Sequence, residues 1–164
     1  MHLGLVAGME AESFGEPGRR TFRIVAATAE GRVSLWLEKE QVVMLGSAIT
    51  ELLERVPVQR GNEPSTADEG SVVGDVNVKV GTLALGYDAR NDGFTLEAGD
   101  FSSPFSFSSI SLVATRGHLT HVSEQIYRIV AASRPRCPLC GSPLTGESHF
   151  CPESNGHTRL TGTE

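Results

Sequence analysis

The N-terminal part of the chain alternates between short apolar runs and turns before it changes to a helical period. Residues 3–14 predict an irregular strand that ends at a turn with two glycines around a proline. Two further apolar runs, residues 21–26 and 33–37, are joined by a short loop containing Gly31 and predict a β-hairpin. A helix follows, because apolar residues recur at intervals of three and four until Pro57 closes the element. Its apolar positions are Val42, Leu45, Ile49, Leu52, Leu53 and Val56.

A similar order of strands and helix recurs later in the chain. Residues 76–85 and 94–98 predict two strands joined by a tight turn, and residues 110–114 predict a third strand. Thr115 is placed to cap the helix that follows, because threonine is favoured at the N-cap position. Ser133 and Pro135 end this helix, whose apolar positions are Leu119, Val122, Ile126, Ile129 and Val130.

The stretch between these two parts, residues 58–75, is rich in Gly, Pro, Ser, Asp and Glu. Such a composition buries too little apolar surface to offset the entropy lost on ordering. The sequence therefore predicts a mobile loop here.

The two parts match each other when the first is shifted by 77 residues. Val33, Ser34 and Leu35 then fall on Ile110, Ser111 and Leu112. Five apolar helix positions coincide as well, which predicts a structural duplication. Convergence is the alternative, since any amphipathic helix after a strand gives a similar register. We expect an α+β fold in which two strand-strand-helix halves form a two-layer sheet and helix domain over residues 1–133.

The C-terminal segment, residues 134–164, concentrates residues that bind metals. Cys137 and Cys140 form a Cys-x-x-Cys pair, and Cys151 follows about ten residues later. This spacing is typical of a small zinc-binding hairpin, in which Zn²⁺ takes four sulfur or nitrogen ligands in a tetrahedron. The sequence predicts a zinc-ribbon-like tail in which the ion replaces a hydrophobic core.

Two histidines compete for the fourth position. If Phe150 lies on a short strand, His149 and Cys151 point to the same face and can reach one ion. His157 would have to approach through the turn at Asn155 and Gly156. The geometry favours His149 and keeps His157 as the alternative.

A disulfide, a redox pair and a catalytic zinc fit the cysteines less well. A disulfide needs an oxidising compartment, and the chain shows no secretory segment. A redox Cys-x-x-Cys normally opens a helix, whereas Cys137 and Cys140 lie among prolines. A catalytic zinc keeps one position open for water, but four or five donors crowd this short segment. A structural zinc site is the prediction that fits best.

Composition and charge exclude several classes of function. The chain is 39% hydrophobic and 21% charged, as in soluble globular proteins. Its formal net charge of −6 argues against binding to a nucleic-acid backbone, which depends on Lys and Arg. No apolar run is long enough to span a membrane, and no leader precedes the first strand. We therefore expect a cytoplasmic protein.

Four segments also carry a resemblance to a known family. They are GEPGRRTF at residues 15–22, LEKEQ at 37–41, VGTLALGYD at 80–88, and RPRCPLCG at 134–141 with the later Cys-Pro and Asn-Gly pairs. Together they resemble an uncharacterised bacterial family, domain of unknown function 3090, over nearly the whole chain. The resemblance implies a cytoplasmic protein with a metal-type tail, and no established activity.

Two functions of different classes fit these observations. The first is a non-catalytic adaptor that binds another protein, because no acid, base and nucleophile converge in the sequence. The second is a binder or enzyme for an anionic or phosphorylated metabolite, using Arg19, Arg20 and Glu38. His118 and His121 lie three apart on the predicted second helix, but no carboxylate accompanies them. Enzymatic activity stays open, and the adaptor is the preferred hypothesis.

Overall fold

The computed structural model describes residues 2–29, 31–58, 75–100, 109–134, 136–144, 149–154 and 159–160. Helix α1 (Lys39–Arg55) follows the strands β1 (His2–Phe14), β2 (Thr21–Thr28) and β3 (Gly31–Leu37). Helix α2 (Arg116–Ala132) follows the strands β4 (Asp75–Asp88), β5 (Gly93–Asp100) and β6 (Ser109–Ala114). The C-terminal part contains the short strands β7 (His149–Phe150) and β8 (Arg159–Leu160) and a 3-10 turn (Pro152–Ser154).

The first six strands form a closed barrel in sequence order. Neighbouring strands within each half run antiparallel, as expected for short connections. The two halves meet in parallel pairs, β3 with β4 and β6 with β1. Strands β3 and β4 are parallel because helix α1 connects them. Strands β6 and β1 are parallel where the last barrel strand returns to the first and closes the barrel.

One hydrophobic core holds the barrel and the helices together. Strand β2 alternates between buried and less buried positions along its length, which places Phe22, Ile24 and Ala26 inside. The same core contains residues from all six strands of the barrel and from both helices. The helices contribute Val42, Leu45, Ile49, Leu119, Val122 and Ile126.

Both helices begin with a reciprocal capping box. At α1 the backbone N–H of Glu38 donates to Gln41 Oε1 at 2.9 Å. At α2 the backbone N–H of His118 donates to Thr115 Oγ1 at 3.1 Å. Such a box satisfies backbone donors that the first helical turn leaves without partners. The predicted cap at Thr115 is confirmed.

The side chain of Arg116, the first residue of α2, caps the C-terminus of α1. Its Nη1 donates to the carbonyl of Leu53 at 2.9 Å, and its Nη2 donates to the carbonyl of Val56 at 2.5 Å. A cation at a helix C-terminus also interacts favourably with the helix dipole. One side chain therefore joins the start of α2 to the end of α1.

The predicted α+β class is confirmed, with two corrections to its detail. Three strands precede each helix, whereas the predicted halves count two, because the prediction grouped only the hairpin strands with the first helix and left the strand at residues 3–14 outside the unit. The sheet also closes into a barrel, which alternation of apolar residues alone does not indicate. The predicted mobile loop at residues 58–75 lies, apart from its two ends, outside the described residues. Neither described helix is long and apolar enough to cross a lipid bilayer.

Candidate metal centre

The first half of the candidate site is a tight turn that holds two cysteines. The N–H of Gly141 donates to the carbonyl of Cys137 at 2.9 Å, and the N–H of Cys137 donates to the carbonyl of Ser142 at 2.8 Å. Gly141 has a φ of +70°, which side chains disfavour and glycine allows. The turn therefore directs Cys137 and Cys140 toward one point.

The second half is the strand β7 and the residue after it. His149 and Phe150 pair with the two residues of β8 in an antiparallel ladder. Phe150 is 70% exposed, while Cys151 is fully buried on the opposite side. His149 and Cys151 are two positions apart and so share the inner face, as a strand requires.

The Cys/His cluster (Cys137, Cys140, His149 and Cys151) brings four potential ligand atoms within 4.8 Å of one another. Cys137 Sγ lies 3.7 Å from Cys151 Sγ. Two thiolates on one zinc ion, with bonds of about 2.3 Å at a tetrahedral angle, would be about 3.8 Å apart. Cys140 Sγ lies 3.1 Å from His149 Nε2, and this pair would widen by about 0.5 Å around such an ion. The donor set fits a single tetrahedral metal ion.

None of the three cysteines forms a disulfide. A disulfide holds its two sulfurs about 2.05 Å apart, far closer than Cys137 and Cys151. These two side chains instead pack with Leu144 into a small buried cluster that shares no residue with the core of the barrel.

The thiols differ in their tendency to ionise. Hydrogen bonds from the side chain and backbone of Ser142 lower the pKa of Cys140 from 9.0 to about 6, and His149 adds a smaller effect. Burial raises the pKa of the Cys151 thiol. A metal binds the thiolate form, so Cys140 is prepared for binding before the ion arrives. Sequence reasoning missed Ser142; its position two residues after the second cysteine is the signal that could have indicated it.

The structure brings four of the five predicted metal ligands together. The remaining candidate, His157, lies outside the described residues. The strand that the sequence analysis requires at Phe150 is present, and His149 joins the three cysteines. Which histidine binds a metal stays a prediction.

The two histidines of α2, His118 and His121, form hydrogen bonds with neighbouring residues of the fold. His118 Nδ1 accepts from the backbone N–H of Thr115 at 3.4 Å, and the ring also hydrogen-bonds the backbone of Ala7. Burial lowers the pKa of His118. His121 Nε2 lies 3.0 Å from Gln125 Nε2 on the outer face of α2. His118 therefore serves as part of the helix cap, whereas His121 lines a depression of 330 Å³ that also contains Glu10 and Glu12.

Besides the depression beside His121, two others lie outside the Cys/His cluster. The arginine cleft is lined by Gly18, Arg19, Arg20, Glu38, Lys39 and Ser133 and has a volume of 120 Å³. The α1–β4 groove has a volume of 270 Å³ and is lined by Gln41, Met44 and Ala48 of α1 and by Gly81, Leu83 and Leu85 of β4. The sequence analysis names Arg19, Arg20 and Glu38 of the cleft. It misses the groove, because the groove depends on where β4 stops pairing with β3 and begins to pair with β5.

Comparison with known proteins places the chain in a family. Neither the search of curated proteins nor the search of solved structures found a match. The model of a family described as "Protein of unknown function (DUF3090)" matches residues 3–151, which include all six barrel strands, both helices and the Cys/His cluster. The chain therefore belongs to the DUF3090 family, as its sequence motifs indicate.

Proposed function

We propose that this chain is a cytoplasmic zinc protein that acts as a non-catalytic adaptor for another protein. Zinc is the ion that best fits three thiols and one imidazole, because soft sulfur ligands in a tetrahedron favour it over magnesium, calcium or manganese. A reducing cytoplasm would keep the cysteines free for metal binding. The net charge of −6 argues for a protein partner over nucleic acid.

The zinc would have a structural role. Four donors from Cys137, Cys140, His149 and Cys151 fill a tetrahedron and leave no position for a water molecule or substrate. A catalytic zinc normally has three protein ligands and an open fourth position. The ion would instead fold the tail, whose own buried cluster is small.

Metal analysis of protein purified in reducing buffer tests this part. We expect one zinc per chain, lost in Cys137→Ser and retained in Glu153→Gln, which changes an exposed side chain. Cobalt substitution should give the absorption of a tetrahedral site with three thiolates. A preparation without stoichiometric transition metal would contradict the zinc site, and a spectrum of an open or octahedral site would contradict its structural role.

The adaptor role rests on a free edge of strand β4. Strand β3 pairs with β4 as far as Lys79, and β5 pairs with the opposite side from Val80 to Asp88. Among the described residues, no strand occupies the β3 side of β4 beyond Lys79. Such an edge presents unpaired backbone N–H and C=O groups, which form a template for another strand.

Strand β1 has a comparable edge, but α2 covers it. The N–H of Ala11 donates to Gln125 Oε1 at 2.6 Å. On the β4 side, Gln41 Nε2 reaches the carbonyl of Val80 at 3.0 Å, and beyond it lies the α1–β4 groove. Under the shift of 77 residues, Ala48 takes the place of Gln125. An alanine cannot reach across, and the groove stays open.

The occupant that fits is an extended segment of a partner protein. Its backbone would extend the sheet along Gly81 to Leu85, and apolar side chains at alternate positions would enter the groove beside Met44. Met44 is 70% exposed, although it is a large apolar side chain. Covering it would add apolar burial to the backbone hydrogen bonds.

The substitution Ala48→Gln tests the groove. On α2, the side chain of Gln125 covers the edge of β1, and this substitution places the same side chain at the equivalent position of α1. We expect it to abolish capture of the partner from native lysate. Ser47→Gln is the matched control, because position 47 is also exposed on α1 but does not line the groove. Partner capture that Ala48→Gln leaves unchanged would contradict the groove as the docking site.

Three further measurements separate the alternatives. Hydrogen exchange of the complex should show new protection at residues 81–85, as an added strand requires. Light scattering of the isolated protein detects a second copy as the occupant, which would appear as a dimer that Ala48→Gln dissociates. Deletion of residues 134–164 shows whether the tail contributes, and an identical list of partners would count against it.

A structural duplication also belongs to this proposal. Supporting it, each half has the order strand, strand, strand, helix, and each helix starts with a capping box. The third residues of the two helices, Gln41 and His118, both reach the backbone of the long first strand of the other half, at Val80 and Ala7. An experimental structure tests it by superposition of the halves. A best fit with a helix offset other than 77 residues would contradict the duplication.

A further inference from the structure

The arginine cleft lies where a glycine turn meets the ends of both helices. Gly15 and Gly18 have φ of +94° and +92°, and a Cβ at Gly15 would lie 2.7 Å from the carbonyl oxygen of Arg19. The N–H of Gly18 donates to the carbonyl of Ser133, the C-cap residue of α2, at 3.1 Å. The turn is therefore fixed in a conformation that residues with a side chain disfavour, and it holds two arginines in place.

The cationic side chains of the cleft form no ion pairs with the carboxylates of the described residues. Neither Arg19, Arg20 nor Lys39 forms an ion pair with any carboxylate in the part of the chain that the structure describes. Arg20 Nη1 donates to Ser13 Oγ at 3.3 Å, which orients the guanidinium. Arg20 Nε is buried and has no hydrogen-bond partner among the described residues. A buried donor without an acceptor is costly, and in native proteins it commonly indicates a ligand, an ion or an ordered water.

The charge and size of the cleft define what would fit. Three cationic side chains and the single carboxylate of Glu38 line it, which leaves an excess of two positive charges. A phosphate monoester carries about 1.5 to 2 negative charges at neutral pH and offers three acceptor oxygens. The volume of 120 Å³ accepts a phosphate group, but pockets for drug-sized ligands have roughly 300–1,000 Å³.

We propose that the arginine cleft binds the phosphate monoester group of a small molecule. Arg20 would donate its Nε–H and a second N–H to two phosphate oxygens in the fork geometry that guanidinium favours. Arg19 and Lys39 would neutralise the remaining charge from the open side, and Glu38 would accept from a hydroxyl near the phosphate. This site is separate from the Cys/His cluster and from the α1–β4 groove, and its test does not depend on the adaptor role.

Calorimetric titration of the full chain with inorganic phosphate and with glycerol 3-phosphate tests the site. We expect both probes to bind the wild type, with affinity that falls as the salt concentration rises. Arg20→Gln should weaken binding at least about tenfold, because hydrogen bonds to a charged group are lost. Arg20→Lys keeps the positive charge but not the fork geometry of the guanidinium, so its affinity should lie between those of the wild type and Arg20→Gln.

Two more variants keep the result decisive if Arg20 also supports folding. Arg19→Gln changes an exposed side chain and should weaken binding without lowering the melting temperature of the free protein. Arg90→Gln removes the same charge from the exposed turn between β4 and β5 and should leave binding unchanged. Equal affinity in the wild type, Arg19→Gln and Arg20→Gln, or the absence of binding to either probe, would overturn the proposal.

Lipid headgroups are a second source of the same chemical group. Sedimentation with phosphatidylcholine vesicles, with and without phosphatidic acid, separates the sources. A small-molecule ligand predicts that glycerol 3-phosphate binds and that neither kind of vesicle sediments the protein. Sedimentation only with phosphatidic acid, abolished by Arg19→Gln, would overturn the small-molecule source and assign the cleft to a lipid phosphate.

Discussion

Gly46 of α1 lies so close to Ile126 of α2 that a Cβ on the glycine would be 2.8 Å from Cγ2 of the isoleucine. Ile126 is 1% exposed and cannot move aside without disturbing the core. One turn further along α1, Thr50 Oγ1 lies 3.3 Å from Ser123 Oγ and 3.2 Å from the hydroxyl of Tyr127. Small and polar residues thus set the distance between the two helices.

We expect Gly46→Ala to lower the free energy of unfolding by about 1 kcal/mol. Overpacking a core costs about 1–3 kcal/mol, while alanine gains about 1 kcal/mol over glycine inside a helix. Gly117→Ala is the control, because the nearest atom to its Cβ, Thr115 Oγ1, lies at an ordinary 3.6 Å. It should be neutral or stabilising in urea denaturation. A stabilising Gly46→Ala would show that the helices can separate freely.

Arg116→Met should destabilise the barrel by about 1–3 kcal/mol, because it leaves the carbonyls of Leu53 and Val56 without their charged donor. Arg128→Met removes the same charge from an exposed position of α2 and should change stability by less than about 0.5 kcal/mol. Urea denaturation of both variants measures the difference. Equal effects would assign the loss to net charge.

Cys140→Ser should abolish metal binding and unfold the tail while the barrel still melts cooperatively. The two buried clusters share no residue, so each has its own source of order. Calorimetry of the variant should retain the main transition, and the zinc content should fall to zero. Loss of the main transition would mean that the barrel and the tail fold as one unit.

The pKa of about 6 at Cys140 predicts a selective reaction in metal-free protein. At pH 7 Cys140 is mainly thiolate and partly exposed, so iodoacetamide should modify it faster than Cys151, whose thiol is buried and has a raised pKa. Because the folded pKa of Cys140 is lowered, its contribution to stability is full above the ordinary value and falls as the pH drops from 9.0 toward about 6.

Peptide mass spectrometry across pH 5 to 8 measures the rates of modification. The rate at Cys140 should decrease as the pH falls through about 6, and added zinc should block the reaction. Ser142→Ala should move the midpoint toward the ordinary value, because the side-chain hydrogen bond of Ser142 is the largest cause of the lowered pKa. A midpoint that Ser142→Ala leaves in place would contradict this cause.

The elements of the fold were predictable from local pattern, but their assembly was not. The helix at Lys39–Arg55 follows from apolar residues at helical spacing, and the cap at Thr115 follows from residue type. The barrel depends on parallel pairs between distant residues, such as His2 with Ser111, for which no local pattern exists. The Cys/His cluster was predictable because its residues lie close in sequence, whereas the edge at Gly81 requires the positions of three strands.

The parallel pairing of β1 with β6 has a consequence for biosynthesis. Strand β1 has to wait until residues near Ser111 are synthesised before it can pair with its second neighbour. A nascent chain that ends before β6 would leave β1 and β5 without their shared neighbour and expose their apolar sides, and contacts this distant in sequence slow folding. We expect truncated forms lacking β6 to aggregate or to recruit chaperones, and the complete barrel to refold slowly for its size.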